Sequence, residues 1–224
     1  MEIILDEKSN IATVYTVVDG RKQRKDVKID DLIKSLIASV NKGNETLYES
    51  PLFEEAKGTR LIQSKTTGKK SLYVIHKKKH RTSMSLYERF YEDVGVPGLL
   101  FAAHSVNDKL VSLDVVAVKD EVISEDTKIY VYPFTNVTSK IGRACLGSNT
   151  LNKGLINKKI LYDVPDQFMS MPNTIDAFSP TNNSKGYILQ ELLKELTNKD
   201  FDNKLLVENK TICNYKEWFK KINI

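Results

Sequence analysis

Two cysteines occur in the 224-residue chain, Cys145 and Cys213, and only the first stands among residues suited to chemistry. It belongs to a segment reading Tyr132-Pro-Phe-Thr-Asn-Val and then, four residues on, Gly142-Arg-Ala-Cys145-Leu-Gly147. Pro133 cannot donate to a ladder, so a strand ends or bends there. Asn136 carries an amide with two donor hydrogens, and Gly142 opens backbone conformations that other residues avoid. The result is a sharply turning loop that holds a thiol and an amide donor. A free thiol, with a pKa of about 8.5, is partly ionised near neutrality. Attack by its thiolate on a thioester needs no neighbouring His to strip the proton, and Asn136 would donate to the oxygen that becomes negative during acyl transfer. By residue type alone, the plainer reading is a buried structural cysteine with Asn136 capping a turn.

The elements that must position this loop are legible on both sides of it. Ile3–Leu5 and Ile11–Val18 are β-branched and aromatic, and Asp19-Gly20 is a turn signal before the polar Arg21–Lys25. A helix follows: Ile29, Leu32, Ile33, Leu36, Ile37 and Val40 share one face. Asp30 and Asp31 suit the dipole of its first turn, and Gly43 lies just past its end. Strands are expected at Thr59–Gln63, Ser71–Ile75, Leu99–Ala103, Leu110–Val118 and Lys128–Phe134, with Asn107-Asp108 as a tight turn. Residues 136 to about 185 read as loop. A second helical stripe runs through Ile188, Leu189, Leu192, Leu193 and Leu196, and Tyr215–Ile222 suits a short amphipathic helix anchored by Trp218 and Phe219. The order of hairpin, helix, meander, long loop and helices predicts an α+β fold, an antiparallel β-meander flanked by helices. Residues 1–28 form an N-terminal β extension, and 29–224 the main domain.

Composition narrows the function classes. Hydrophobic residues at 41% and charged residues at 28% allow a sizeable core with a solvated surface. The net charge of +5 is too small to argue for nucleic acid, which is not an expected partner. Two cysteines are no disulfide framework for this length. No signal peptide and no apolar run of about 20 residues is present, so the expectation is a cytoplasmic protein with no membrane partner. No phosphate-binding glycine loop and no Gly-x-Ser-x-Gly elbow occurs, and no cofactor is implied. His76, His80 and His104 are the only histidines, and no acid or cysteine lies at metal-ligand spacing near the His76 and His80 pair, so no metal site is expected. His104, at a strand end, reads as a packed or turn histidine that the meander could bring near the loop.

The loop also resembles the active-site segment of ubiquitin-conjugating enzymes, in which a strand ending in Tyr-Pro leads to a His-Pro-Asn triplet. An apolar residue, a Gly and, three residues later, the catalytic Cys follow there. Asn136-Val137, Gly142 and Cys145-Leu146 match, and the similarity is closer to family D of the prokaryotic relatives, which includes the PRTRC system protein B of bacterial mobile elements. That branch shares the Pro-Phe-x-Asn-Val and Gly-x-x-Cys-x-Gly patterns and a preceding strand seen here as Pro97-Gly-Leu-Leu-Phe101. The resemblance runs from about Ile29 to the C-terminus, and its specific part is 130–147. Three departures accompany it. Phe134 replaces the His, Thr135 replaces the Pro, and Cys145 follows Asn136 by nine positions with no His after it.

The resemblance implies a ubiquitin-conjugating-enzyme-like fold in which Cys145 accepts a ubiquitin-like modifier as a thioester from a ThiF-type activating enzyme and passes it to an amine. Asn136 would steady the oxyanion, and Asp163 or Asp166, in the following loop, would orient the incoming lysine. A JAB-type metallopeptidase is a further expected companion. The rival of a different class is a catalytically silent scaffold of the same fold in a bacterial or plasmid ThiF/JAB-associated system. A third reading gives the basic stretch 69–81, with Tyr73 in it, to a nucleic-acid-associated accessory protein. A solvated edge strand guarded by Lys is the plainer account of that stretch. Cys213, with no turn or donor pattern around it, reads as a buried small hydrophobe.

Overall fold

The computed structural model describes residues 2–5, 10–18, 20–42, 48–49, 55–56, 58–138, 140–147, 156 and 158–222. Gly43 lies outside them, as does the turn residue Asp19. The chain divides into two compact units, Met1–Thr46 and Leu47–Ile224. In the first, β1 (Glu2–Leu5), β2 (Ile11–Val18) and β3 (Arg21–Lys28) form an antiparallel sheet in that order, and α1 (Ile29–Lys42) follows at once. The expected 28/29 division therefore falls at the start of α1, which packs on β2 and β3 within this unit. Asp30 and Asp31 sit in the first turn of α1. Lys22 lies over the Tyr15 ring at 4.4 Å, and Asp26 accepts from Thr13 and Arg24.

The second unit is built on a sheet of β4 (Tyr48–Glu49), β5 (Glu55–Ala56), β6 (Thr59–Thr67), β7 (Lys70–Lys77), β10 (Gly98–Val106) and β11 (Lys109–Val118). Its order is β11-β10-β7-β6-β4, with β5 also on β6, and every pairing is antiparallel. Asn107 and Asp108 both take positive φ, 50° and 58°, as a two-residue turn between β10 and β11 requires. β8 (His80–Leu86) and β9 (Arg89–Val96) form a separate hairpin.

Almost all of β10 is buried, because both of its faces are covered. Leu99, Phe101 and Ala103 join one core with Leu192, Leu193 and Phe168, from α3 (Leu189–Leu196) and α2 (Lys158–Met169). Leu100 and Ala102 join the other core with Trp218 and Tyr215 from α4 (Tyr215–Lys221). The architecture is α+β, as the element order predicts.

Several expectations are corrected. β7 is an interior strand, paired with β6 and β10, so the basic stretch 69–81 is not a solvated edge. Lys77 at its end is buried and pairs with Asp166 at 3.0 Å. The segment around 158–169 is helix and not loop, despite an internal Pro165, because Ile160, Leu161, Val164 and Phe168 make a buried stripe. Lys128–Phe134 is not a ladder strand: it touches its neighbours only through bridges such as Ala117↔Tyr130 and the bond from Val131 N to Val207 O, 2.9 Å. Cys213 is exposed, since it precedes the α4 N-cap Asn214 and gives its N–H to Glu217. Among the described residues, no helix is long and apolar enough to cross a membrane.

Candidate active site

The chain enters the site through four buried residues, Tyr132 to Thr135. Tyr132 stacks edge-on against Phe134 at 5.7 Å and Phe168 at 5.8 Å, and Phe134 against Phe201 at 6.3 Å. Burial raises the Tyr132 phenol pKa, and its hydroxyl donates to Met169 Sδ at 3.6 Å. Phe134, in the place of the family's His, is a core aromatic. Thr135 Oγ1 donates to Thr174 O at 2.6 Å. The loop therefore starts from a rigid base.

From there residues 137–138 and 140–144 fold back as a short hairpin. Val137 bridges Ala144, Thr138 N donates to Arg143 O at 2.8 Å, and Cys145 N donates to Asn136 O at 2.8 Å. That last bond places Asn136 and Cys145 opposite each other across the hairpin. Asn136 adopts φ +67°, a conformation Asn tolerates better than most residues. Its side-chain amide donates to Pro172 O at 3.1 Å and lies 3.4 Å from Asn173 Oδ1. Asn173 is itself tied to Ser85 of β8 by its backbone and side-chain nitrogens, at 3.2 and 2.9 Å. In this structure the Asn136 amide thus holds the turn at 172–173.

The hairpin is docked on the outer edge of β11. Val115 N donates to Gly142 O at 2.7 Å and Ala144 N to Leu113 O at 2.9 Å. Gly142 has φ +99°, and a Cβ there would meet Val115 O at 2.4 Å, so position and conformation both demand glycine. The tip is held from the C-terminal side. Asn209 Nδ2 donates to Lys140 O at 2.6 Å, and the fully buried Trp218 donates from Nε1 to Ile141 O at 2.9 Å. Cys145 itself is exposed, while Leu146 packs partly against the core. A cavity of about 610 Å³ opens beside the hairpin, lined among others by Val137, Lys140, Gly142, Phe178, Asn182 and Asn209.

Sequence reasoning missed the polar cluster under this hairpin. Asp114 of β11 is fully buried; its Oδ1 accepts from Arg143 Nε at 2.7 Å and its Oδ2 from His104 Nε2 at 2.6 Å. An acid inside the apolar run Leu110–Val118 was the available signal, because a buried carboxylate has to be partnered. Asp163 and Asp166 stand on α2 and not in a loop. Asp163 is half-buried and Asp166 is engaged with Lys77. Among the described residues, neither has a hydrogen bond or ion pair to the hairpin. Chemically, the arrangement offers a solvent-reachable thiol on a backbone fixed at both ends and the tip.

No curated protein and no solved structure matches the chain. The family model described as prokaryotic E2 family D matches residues 30–209, from α1 through the Cys145 hairpin to the segment that secures its tip. The antiparallel sheets with their helices are consistent with an E2-like fold. With four-fifths of its length accounted for, this chain belongs to prokaryotic E2 family D.

Proposed function

We propose that the protein carries a ubiquitin-like modifier as a thioester on Cys145 and transfers it to an amine. The observation that carries the reading is the exposed Cys145 on a clamped hairpin, directly opposite Asn136, in a member of an E2 family. The Cys145 thiolate attacks the thioester carbonyl presented by a ThiF-type activating enzyme, a new C–S bond forms, and the activating enzyme's thiolate leaves. An amine then attacks the same carbon, the C–N bond forms, Cys145 leaves as thiolate, and the nitrogen's surplus proton passes to solvent. Asn136 serves as oxyanion donor once its contact to Pro172 lengthens, and Asp163 or Asp166 remain the candidates for orienting the amine. A JAB-type metallopeptidase would reverse the product. Such a system belongs in a reducing cytoplasm, where Cys145 stays a thiol.

The test is incubation with a ThiF-type activating enzyme, its ubiquitin-like modifier and ATP. The expected product is a reductant-sensitive adduct. Cys145→Ser should convert it to a reductant-resistant ester or remove it, and Cys213→Ser should leave it intact although that thiol is equally open. No adduct with competent partners would make the protein a silent scaffold.

A further inference from the structure

A carboxylate with no solvent exposure is costly unless its oxygens are paired. Asp114 meets that demand with a guanidinium and an imidazole. Arg143 Nε sits 2.7 Å from Oδ1 and Nη2 3.4 Å from Oδ2, and His104 Nε2 sits 2.6 Å from Oδ2. The residues that supply these groups lie on three neighbouring segments: β10, β11 and the hairpin. Arg143 bridges Asp114 across the ladder, with Leu113 and Val115 bonded to Ala144 and Gly142 on either side. In this extended stretch the side chains alternate. Ala144 turns into the core, whereas Arg143 and Cys145, two residues apart, are both exposed. The pair that fixes Arg143 therefore fixes the side of the hairpin on which the thiol stands.

We propose that Asp114 is the positioning residue of the Cys145 site, acting through Arg143, with His104 holding the carboxylate's second oxygen so that it cannot rotate away from the guanidinium. This inference rests on the thioester reading. Its physical content is that the thiol is already accessible without the network, and that the network sets the thiol's orientation relative to Asn136. Displacement of a reacting atom by about 1 Å costs acyl transfer heavily, but simple alkylation, which develops no oxyanion, is indifferent to it.

The test compares two reactions of Cys145 in the full chain. The first is acylation by the acetylglycyl thioester of mercaptoethanesulfonate, in which the C–S bond to Cys145 forms as mercaptoethanesulfonate leaves as thiolate. The second is alkylation by iodoacetamide, with Cys213 as internal reference. Asp114→Asn, which preserves shape, and Arg143→Gln, at a half-exposed position, should each slow acylation about tenfold while alkylation stays within about twofold. Arg143→Lys, which keeps one charge-assisted bond to Asp114, should recover part of the loss. The double variant should be no slower than the slower single variant. Acylation at the wild-type rate in both single variants, acylation and alkylation falling together, or a double variant losing the product of the two effects would each overturn the positioning role. A wild-type protein that is alkylated but never acylated at Cys145 would overturn the thioester reading itself.

Discussion

At the scale of single residues, the site depends on one glycine more than on either residue that could do chemistry. The carbonyl of Gly142 meets Val115 N, and its α-carbon lies so close to β11 that a methyl group would fall 2.4 Å from Val115 O. Gly147, with φ +55°, has open space for 4 Å around the point where a methyl group would stand. The two glycines share a conformational need and differ in space, which makes them a matched pair. Gly147→Ala should cost only the backbone conformation, roughly 1–2 kcal/mol. Gly142→Ala should also lift the hairpin from its strand. Amide exchange reads the difference: Val115 and Ala144 should lose protection in Gly142→Ala and keep it in Gly147→Ala, and equal protection in both variants would refute the close approach. The importance of Gly142 is visible in the sequence as a turn signal, but the collision is not, because the partner strand lies far from it along the chain. Asp114 is equally visible, yet as one polar letter in an apolar strand it does not announce its two partners.

At the scale of elements, the hairpin is held from three directions: by β11 along its length, by the turn at 172–173 through Asn136, and by α4 at its tip. The last of these ties α4 to the Cys145 hairpin. Trp218 fills the core beneath the sheet and donates its indole N–H to Ile141 O. Trp218→Phe keeps an aromatic ring there and removes the donor, leaving a carbonyl unsatisfied at a cost of about 1–3 kcal/mol. Urea denaturation should show that loss, and acyl transfer to Cys145 should slow beyond what the stability change explains. A variant that loses stability but transfers normally would make α4 a mere lid on the core. Elements with a single strong period, β10, β11 and α3, were legible from residue type. α2 was not, because Pro165 and its acids obscure a stripe that only packing against β6, β7 and β10 makes decisive. The β8–β9 hairpin was hidden for the opposite reason. Half of it faces water, and its polar residues alternate with buried ones such as Met84, Leu86 and Val94.

At the scale of the whole molecule, the second unit encloses a titratable group outside the Asp114 cluster. His80 donates from Nδ1 to Lys78 O, 2.8 Å away, and its imidazole is held below the ordinary value of 6.5, chiefly by burial and further by the Lys77 charge, against the opposing pull of Lys78 O and Asp166. The unfolded chain therefore binds more protons than the folded one near and just below pH 6.5, and stability rises with pH across that window. The contribution is complete above the unfolded value and is lost as pH falls through the depressed folded value. Melting temperature should drop between about pH 7.5 and 5.5, and His80→Gln should drop less; parallel slopes would refute the assignment. The composition and net charge that bounded the function said nothing of this, since burial is not written in residue counts. The docked hairpin has a separate consequence for the protein as a solute. Among the described residues it covers part of the side of β11 away from β10, occupying Leu113 O and Val115 N, which would otherwise be open to strands of other molecules. Damage there would open that strand edge to pairing between molecules, and the first symptom of a sprung loop would be filaments or clumps in the tube.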